Sequence, residues 1–381
     1  MKKIFFLFIL CLSVISCGSG LNPEEINGSN SSSGSSGNSG NGNLSGDGFG
    51  NSKKADGVWV PGMWKEGVWT AYPNGLTGDN SRTALIYTAA LVGSDIYAPG
   101  YSFDPLNNHV PGYWKNGVWV ALDNVVSGTP RQMDARRIVV SGSDIYLTGY
   151  CYSLNRGVLW TNGVMTLLQE NPATRSFIFA LGLLDANVYA GGYSEGAAVN
   201  EEPGYFINNV WTDLPLGVNG GRVLDIAFSG SDVYAAGINY VMETGSPKDE
   251  LGYWKNNIWN ALPNSEGTRW GSADTIVVDS GDIYVSGDAR LSSQVTGIKV
   301  PGYWKNGVWE TLINGETNDK SQTATIKELI ISNSDVYAYG YSVNASGKRV
   351  PGFWKNGSWT GLLNGETGDN SQDAEMVYPL Y

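Results

Sequence analysis

The stretch that decides the fold runs from Pro111 to Trp119 and reads PGYWKNGVW. Its Asn116-Gly117 pair is the strongest two-residue hairpin signal, because a type I′ turn needs positive φ at both central positions. With that turn, Trp114 pairs with Trp119, so the two tryptophans become cross-strand neighbours on one face. The stretch therefore predicts a tight β-hairpin with an aromatic pair.

The same hairpin returns along the chain as a tandem repeat. Its first aromatic recurs at spacings of 46 to 50 residues, at Trp64, Trp114, Trp160, Phe206, Trp254, Trp304 and Trp354. A second motif, SGSDIY at 141–146, has relatives that end at Tyr97, Tyr189, Tyr234, Tyr284 and Tyr337. Twelve of the 14 tryptophans occupy the two aromatic slots of the first motif, so the high tryptophan content is positional.

Each repeat predicts four short strands, and four-stranded units repeated about every 48 residues are typical of a β-propeller. We expect an all-β ring of seven four-stranded blades, six of which are continuous and begin near Leu85, Ala135, Phe177, Val223, Thr275 and Thr325. The seventh is split between the termini. Residues 376–381 form its inner strand, the Trp64 hairpin forms its outer edge, and its remaining strand lies at 46–49 or at 57–60.

These motifs resemble those of bacterial surface β-propellers built from repeats of the type Tyr-Trp-Lys-Asn-Gly followed by Ser-Asp-Val-Tyr-x-x-Gly-Tyr. The resemblance covers residues 56–381. The chain lacks the Gly-His and Trp-Asp pairs of WD40 repeats, and Gly191-Gly192 is its only kelch-like double glycine in a strand. The resemblance implies the fold and no particular activity.

The first 17 residues read as an export signal. Lys2 and Lys3 precede an apolar run, and the run ends in Val-Ile-Ser before Cys17. This ending resembles the lipobox of bacterial lipoproteins, which implies cleavage and lipidation, for example with palmitate, at Cys17. We therefore expect a signal peptide at 1–16, a lipidated Gly/Ser/Asn tether at 17–52 and the propeller at 53–381, held at the bacterial outer membrane on its periplasmic or cell-surface side.

Composition excludes several classes of function. A formal net charge of −12 argues against nucleic-acid binding, which needs clustered Lys and Arg. His109 is the only imidazole, so zinc sites and histidine-based catalysis are not expected, and neither is any cofactor or metal. Cys151 is the only thiol of the mature chain and is expected to be a buried packing residue. We expect a monomer.

The candidate binding surface is the end of the ring that carries the long loops. Three loops, Asn74–Ser81, Asn314–Ser321 and Asn364–Ser371, share one pattern and are adjacent in a closed ring. Their polar groups suit a sugar, a peptide or Ca²⁺, although Asn, Gly, Asp and Ser are also ordinary turn formers. The predicted ligand-binding residues are Asp79, Asn80, Trp270, Asp319, Asp369 and Asn370. His109 is expected to be a surface residue in a connecting loop, and the acidic pairs Glu201-Glu202 and Asp249-Glu250 are expected to be solvated.

The sequence thus favours a membrane-anchored, non-enzymatic propeller that binds a protein or a glycan through its long loops. A periplasmic scaffold in outer-membrane assembly is the alternative by analogy of fold. A polysaccharide-acting enzyme is a third, in which Asp79, Asp319 and Asp369 would converge.

Overall fold

The computed structural model describes residues 46–380, apart from 170–174, 196–200, 216–218, 244, 264–265, 269 and 292–296. In this part of the chain the regular structure consists of strands β1–β31. No helix within it is long and apolar enough to cross a membrane. The predicted signal peptide, Cys17 and most of the predicted tether lie outside the described residues.

The strands form seven antiparallel blades, each of which runs from an innermost strand near the ring axis to an outermost strand. In that order, blade 1 contains β31 (Ala374–Pro379), β1 (Gly48–Lys53), β2 (Trp59–Lys65) and β3 (Val68–Ala71). Blade 2 contains β4 (Ala84–Ile86) with β5 (Ala90–Val92), β6 (Asp95–Phe103), β7 (His109–Lys115) and β8 (Val118–Ala121). Blade 3 contains β11 (Met133–Ser141), β12 (Asp144–Cys151), β13 (Arg156–Thr161) and β14 (Val164–Leu168). Blade 4 contains β15 (Ser176–Leu184), β16 (Asn187–Ser194), β17 (Glu202–Ile207) and β18 (Val210–Asp213).

The remaining blades repeat the pattern. Blade 5 contains β19 (Gly221–Ser229), β20 (Asp232–Glu243), β21 (Ser246–Lys255) and β22 (Ile258–Ala261). Blade 6 contains β23 (Gly271–Asp279), β24 (Asp282–Arg290), β25 (Lys299–Lys305) and β26 (Val308–Thr311). Blade 7 contains β27 (Ala324–Ser332), β28 (Asp335–Val343), β29 (Arg349–Lys355) and β30 (Ser358–Gly361). A small hairpin of β9 (Val125–Val126) and β10 (Thr129–Pro130) lies in the linker between blades 2 and 3.

Blade 1 confirms the predicted closure of the ring by both chain ends, since β31 pairs with β1. Two boundaries differ from the prediction, and the first is that of β31, which covers Ala374–Pro379 and not 376–381. The second is the start of the propeller, which begins at Gly48 and not at residue 53, and β1 matches neither predicted segment in full. The glycines of β1 allow β31 to approach closely, because a Cβ on Gly50 would lie 2.1 Å from the carbonyl oxygen of Glu375. Closure of this kind removes the free sheet edge.

The tryptophan hairpins join neighbouring blades. Trp114 and Trp119 are cross-strand partners, as predicted, with ring centroids 4.5 Å apart. Trp114 is fully buried, and its Nε1 donates a hydrogen bond of 3.0 Å to the carbonyl of Pro73 in the linker that enters its blade. Each such indole also removes about 200 Å² of surface from water, worth about 5 kcal/mol. The same bond is made by Trp64, Trp160, Trp254, Trp304 and Trp354.

The short turns explain the Lys-Asn and Asp residues of the two motifs. Asn116, at φ 50°, accepts a bond from the Ile96 amide and donates to Asp95, while Lys115 pairs with Asp95 at 2.9 Å. These bonds hold the pKa of Asp95 below its ordinary value. The motif is therefore a structural clasp between the two hairpins of a blade. It gives no information about a ligand.

The innermost strands share a second constraint. One residue of each pairs with a glycine on the next strand, as Ala135 does with Gly149, where a Cβ would lie 1.9 Å from the carbonyl of Asp134. A bulge of one extra residue follows in all but blade 2, where the innermost strand is interrupted between β4 and β5. A bulge changes the direction in which the neighbouring side chains project from the strand, and bulges are common at the rims of closed sheets. The extra residues are Arg136, Phe179, Leu224, Asp274, Lys327 and Val377.

Candidate functional site: the long-loop mouth

The two ends of the ring differ in their connections. The first and third hairpins of each blade close through tight turns at one end, which we call the short-turn face. The connection between the second and third strands and the linker between blades lie at the other end, the long-loop face. Side chains at the start of an innermost strand, or at the end of the second strand, therefore lie near the long-loop face.

The three repeated loops join consecutive blades, as predicted, and their shared pattern serves the loops themselves. Asn74 is buried, its Nδ2 donates to the carbonyls of Thr83 and Phe103 at 3.1 Å, and its Oδ1 accepts from the amide of Leu76. Asn314 and Asn364 make the equivalent bonds. The predicted ligand residues of these loops, Asp79, Asn80, Asp319, Asp369 and Asn370, thus lie on linkers whose shape is fixed from within.

The aspartates of these loops bond to nearby serines. Asp79 Oδ1 accepts from the Ser81 amide at 3.0 Å and from its hydroxyl at 2.6 Å, and these bonds lower the pKa of Asp79. Asp319 is bonded in the same way by Ser321. Trp270 is half-buried at the start of β23, where its carbonyl accepts from the Arg290 amide. A ligand-binding role for these residues stays a prediction.

A continuous series of aromatic rings, which we call the aromatic arc, crosses blades 2 to 4 at the long-loop face. Its rings contact one another in sequence, with centroid distances from 3.8 Å for Tyr150 and Phe177 to 6.1 Å for Tyr87 and Tyr101. Tyr152, Phe177 and Tyr193 are half-buried, so the arc is open to solvent in part. The members are Tyr87, Tyr101, Phe103, His109, Tyr150, Tyr152, Phe177, Phe179 and Tyr193.

His109, the only imidazole of the chain, belongs to this arc. Its ring is half-buried and stacks on Tyr101 with centroids 4.1 Å apart and an interplanar angle of 18°. Phe103 and Tyr152 contact it edge-on at 4.7 Å and 5.2 Å. The imidazole therefore acts as one more ring of the surface.

A buried ion pair lies against the middle of the arc. Asp134 Oδ2 accepts hydrogen bonds from the Tyr87 hydroxyl at 3.0 Å, from the Tyr152 hydroxyl at 2.8 Å and from Arg136 at 2.9 Å. The guanidinium of Arg136 also lies 5.7 Å from the ring of Tyr150. Burial raises the pKa of Tyr87 well above its ordinary value, so its hydroxyl stays a hydrogen-bond donor. The arc is thereby held rigid from below.

The arc continues into blade 5 through Arg222. Its guanidinium lies between Tyr193 and Tyr240, at 5.3 Å and 5.9 Å from the two ring centroids, and forms a two-point ion pair with Glu201. Glu201 is therefore paired and not freely solvated. Tyr240 is the cross-strand partner of Asp249, whose side chain is only 6% exposed. This burial corrects the expectation that Asp249 is solvated.

Blades 5 and 6 together supply three carboxyl groups, which we call the acid cluster: Asp249 on β21 of blade 5, and Asp274 and Asp288 on β23 and β24 of blade 6. Ser272 Oγ lies 2.8 Å from Asp274 Oδ2 and 3.0 Å from Asp288 Oδ2. Burial, with the charge of Asp288, raises the pKa of Asp274 to about 6, and burial raises the pKa of Asp249 to about 7. In the described part of the chain, no group of His, Cys, Asp and Glu is arranged to hold a metal ion.

The remaining charges of the mouth belong to blades 7 and 1. Glu375 lies 3.4 Å from the guanidinium of Arg349 and 3.9 Å from Lys327 Nζ, and Arg349 lies 5.0 Å from the ring of Tyr341. On the innermost strand of blade 3, burial lowers the pKa of Arg137 to about 10, while the charges of Asp225 and Glu328 act to raise it. The mouth thus has an aromatic half, blades 2 to 4, and an ionic half, blades 5 to 7 and 1.

Most of these residues could not be identified from the repeated motifs, because they lie in strands and outside those motifs. One signal was available. A charged residue in a strand that is otherwise apolar must be paired, since an unpaired buried charge is too costly. The innermost strands can be aligned on the residue that pairs with a glycine of the second strand. Charged residues stand directly before or after that position at Asp134, Arg136, Arg222, Asp274, Lys327 and Glu375.

Comparisons with known proteins place the fold in context. No family model matches the chain, and no curated protein matches it in sequence. Among solved structures, a mutant of the Aleuria aurantia lectin in complex with alpha-methyl-L-fucoside is 14% identical, with a TM-score of 0.39 over 74% of this chain and 96% of the lectin. A GH43 endo-arabinanase from Bacillus licheniformis is 10% identical, with a TM-score of 0.30 over 57% of this chain and 93% of the enzyme.

A puromycin-hydrolyzing peptidase of Mycobacterium tuberculosis is 11% identical, with a TM-score of 0.37 over 73% of this chain. The matched region spans about half of that peptidase, 52% of its length. The expectation of a non-enzymatic protein cannot be kept, because solved structures with a similar fold include glycoside hydrolases and a peptidase, so the fold does not exclude catalysis. A single imidazole in the chain also does not exclude a catalytic site built from carboxyl groups, such as the acid cluster. At these identities the likeness concerns architecture alone, and the strand pairing itself shows that the chain is a seven-bladed β-propeller.

Proposed function

We propose that this protein is a lipid-anchored propeller of the bacterial envelope that binds a glycan at its long-loop mouth. The observation that carries the proposal is the aromatic arc. It presents half-buried rings of Tyr152, Phe177 and Tyr193 beside fixed ionic groups. A site of this kind combines large apolar contact with a few directed polar groups, which is the usual composition of a small-molecule site.

The chemistry of a sugar fits both halves of the mouth. The C–H face of a pyranose ring is apolar and packs flat on an aromatic ring, while its hydroxyls need donors and acceptors at fixed positions. Phe177 and Tyr193 offer nearly parallel rings 5.5 Å apart at an angle of 19°. Arg222 and Glu201, held by their mutual ion pair beside Tyr193, offer donors and acceptors next to that platform.

The direction of β1 supports this arrangement for an anchored protein. Asp47 Oδ1 accepts a hydrogen bond from the Glu66 amide, which belongs to a tight turn of the short-turn face. The chain therefore enters the ring on the face opposite to the aromatic arc. A tether of about 30 residues from Cys17 reaches roughly 30 Å as a Gly/Ser coil. Such an anchor leaves the mouth free for a ligand.

Binding is tested with the mature protein on an array of neutral and acidic oligosaccharides, followed by calorimetry on the best ligand. Phe177→Ala and Tyr152→Ala are expected to weaken binding at least tenfold, because each removes a stacking surface of the arc. Tyr146→Ala is the matched control, since Tyr146 is also half-buried and lies on β12 at the short-turn end. Equal losses in all three variants, or binding only to proteins, would contradict the proposal.

The anchor is tested separately in cells. Metabolic labelling with a palmitate analogue should label the wild-type protein and not Cys17→Ser. Protease added to intact cells should remove the propeller if it is surface-exposed and spare it if it is periplasmic. Release of unlabelled wild-type protein into the medium would refute lipid anchoring without affecting the glycan proposal.

A further inference from the structure

The acid cluster has an arrangement that the binding of a glycan does not require. Ser272 Oγ lies within hydrogen-bond distance of both Asp274 and Asp288, but a hydroxyl carries one proton and donates to one carboxylate at a time. Both contacts are hydrogen bonds at once only if one carboxyl is protonated and donates to Oγ. The geometry is therefore a relay of a carboxylic acid, a hydroxyl and a carboxylate.

The neighbouring charges decide which carboxyl holds the proton. Asp288 lies 3.5 Å from Arg290 Nε and 3.8 Å from Lys299 Nζ, so two cations lie against its carboxyl group. Asp274 has Ser272 as its only hydrogen-bond partner among the described side chains. Its pKa is raised to about 6 by burial and then by the charge of Asp288. Asp274 is thus the acid of the relay.

A second observation points to a missing polar partner at this place. Asp249 Oδ1 is buried and has no hydrogen-bond partner in the described part of the chain, although its Oδ2 accepts from the Gly271 amide at 3.3 Å. A buried carboxyl oxygen that is left without a partner is unfavourable, because it has lost its hydrogen bonds to water and gained none in return. A hydroxyl of a ligand or a water next to Gly271 and Ser272 would satisfy it.

The surroundings connect the relay to the glycan surface. Trp270 is half-buried and lies two residues before Ser272, directly before the strand that contains Ser272. On the other side, Asp249 pairs with Tyr240, which lies against Arg222 at the end of the aromatic arc. Asp274 is itself half-buried, unlike Asp249 and Asp288, so it is the carboxyl that a bound ligand can reach.

We propose that Asp274 is the general acid and base of a glycoside-hydrolysing site, with Ser272 as its positioning residue; this rests on the proposed glycan binding. Asp274 gives its proton to the glycosidic oxygen as the bond from that oxygen to the anomeric carbon breaks, and the alcohol leaves. A water then bonds to the anomeric carbon, and its proton passes to the Asp274 carboxylate. One water is consumed, two hydroxyl groups are formed and Asp274 is restored.

The experiment uses the mature protein with 4-nitrophenyl glycosides of glucose, galactose, xylose, arabinose and fucose, and with soluble polysaccharides assayed for new reducing ends. Asp274→Asn is expected to lower kcat at least 100-fold, the usual contribution of a general acid, while array binding is retained. Wild-type activity is expected to fall as the pH rises above about 6. Ser272→Ala is expected to lower kcat and to move that alkaline limb, which a merely structural role would not do.

Asp279→Asn is the matched control, because Asp279 is an exposed carboxyl at the short-turn end of the same strand. Asp274→Glu keeps the acid and should retain part of the activity, which separates loss of chemistry from loss of folding. Wild-type protein that binds the array but hydrolyses none of these substrates overturns the inference and leaves the proposed function intact. Hydrolysis that survives Asp274→Asn also overturns it, whereas absence of both binding and hydrolysis overturns both proposals.

Discussion

One repeat position allows a stabilising substitution to be predicted from the chain itself. In blades 1 and 7, the outer tryptophan donates its Nε1 hydrogen to a glutamate of the preceding loop, Trp69 to Glu366 at 2.8 Å and Trp359 to Glu316 at 3.0 Å. Blade 2 has the same loop and the same tryptophan, Trp119. Its loop carries Leu76 in place of glutamate, and the buried Trp119 Nε1 has no partner among the described residues.

Leu76→Glu should therefore stabilise the ring. An unsatisfied buried N–H costs about 1 to 3 kcal/mol, and Trp119 is half-buried, so the lower end applies, about 1 kcal/mol. At about 2.1 cal/mol/K of unfolding entropy per residue and roughly 330 residues, this raises Tm by about 1.4 °C. The backbone is already suited, because Gly75 lies directly on the Trp119 ring, as Gly365 does on Trp69.

The assay is urea unfolding followed by tryptophan fluorescence, with a double-mutant cycle through Trp119→Phe. Phenylalanine keeps a ring and removes the N–H, so Leu76→Glu should give no gain in that background. Glu366→Leu is the mirror control and should cost about as much as Leu76→Glu gains. An equal gain with and without the Trp119 indole would refute the reasoning, because it would show that the charge or the loop, and not the hydrogen bond, is responsible.

Three further perturbations have defined outcomes. The pKa of Asp249 is about 7 in the folded state and near 3.8 in the unfolded state. Between about pH 4 and pH 7 the folded state therefore keeps a proton that the unfolded state releases, so the free energy of unfolding should fall as the pH rises through this range. For this group the fall is at most about 4 kcal/mol. Asp249→Asn should flatten that fall in urea titrations at several pH values, and an unchanged slope would argue against a buried acid. Trp304→Phe removes the 2.9 Å hydrogen bond to the Pro263 carbonyl. It should lower the free energy of unfolding by about 1 kcal/mol more than the loss of buried area alone would. An unchanged urea midpoint would show that the indole contributes through packing alone. Deleting residues 374–381 removes β31 and opens blade 1, so the truncated protein should aggregate or become protease-sensitive, and one that melts like its parent would contradict ring closure.

The fold could be predicted because its determinants are repeated. Asn-Gly turns, paired tryptophans and the Lys-Asp clasp each recur in several blades, and every copy makes the same local contacts. Repetition turns a weak local signal into a strong one. The exception was β1, where the sequence GFGNSK resembled the end of a Gly/Ser tether. Its glycines are required by the close approach of β31, which composition alone does not distinguish from flexibility.

The site could not be predicted in the same way. The long loops that the sequence favoured, such as Asn74–Ser81, are shaped by their own buried asparagines. Packing between neighbouring blades brings together side chains from separate repeats, such as Arg349 of blade 7 and Glu375 of blade 1. Burial also changes the chemistry of individual groups, as it does for Asp249, and sequence spacing contains no information about burial.

The pattern of variation across the blades nevertheless distinguishes scaffold from site. On each innermost strand, one residue pairs with a glycine of the second strand, and the backbone contact excludes any side chain there. The residue immediately before it differs in every blade: Leu85, Asp134, Phe177, Arg222, Ser272, Thr325 and Glu375. Seven equivalent backbone positions with seven different side chains make the mouth asymmetric. A ring of identical blades would offer seven equivalent weak sites, whereas this mouth has one aromatic half and one ionic half. We therefore expect the proposed glycan to bind in one orientation, with one ligand per ring.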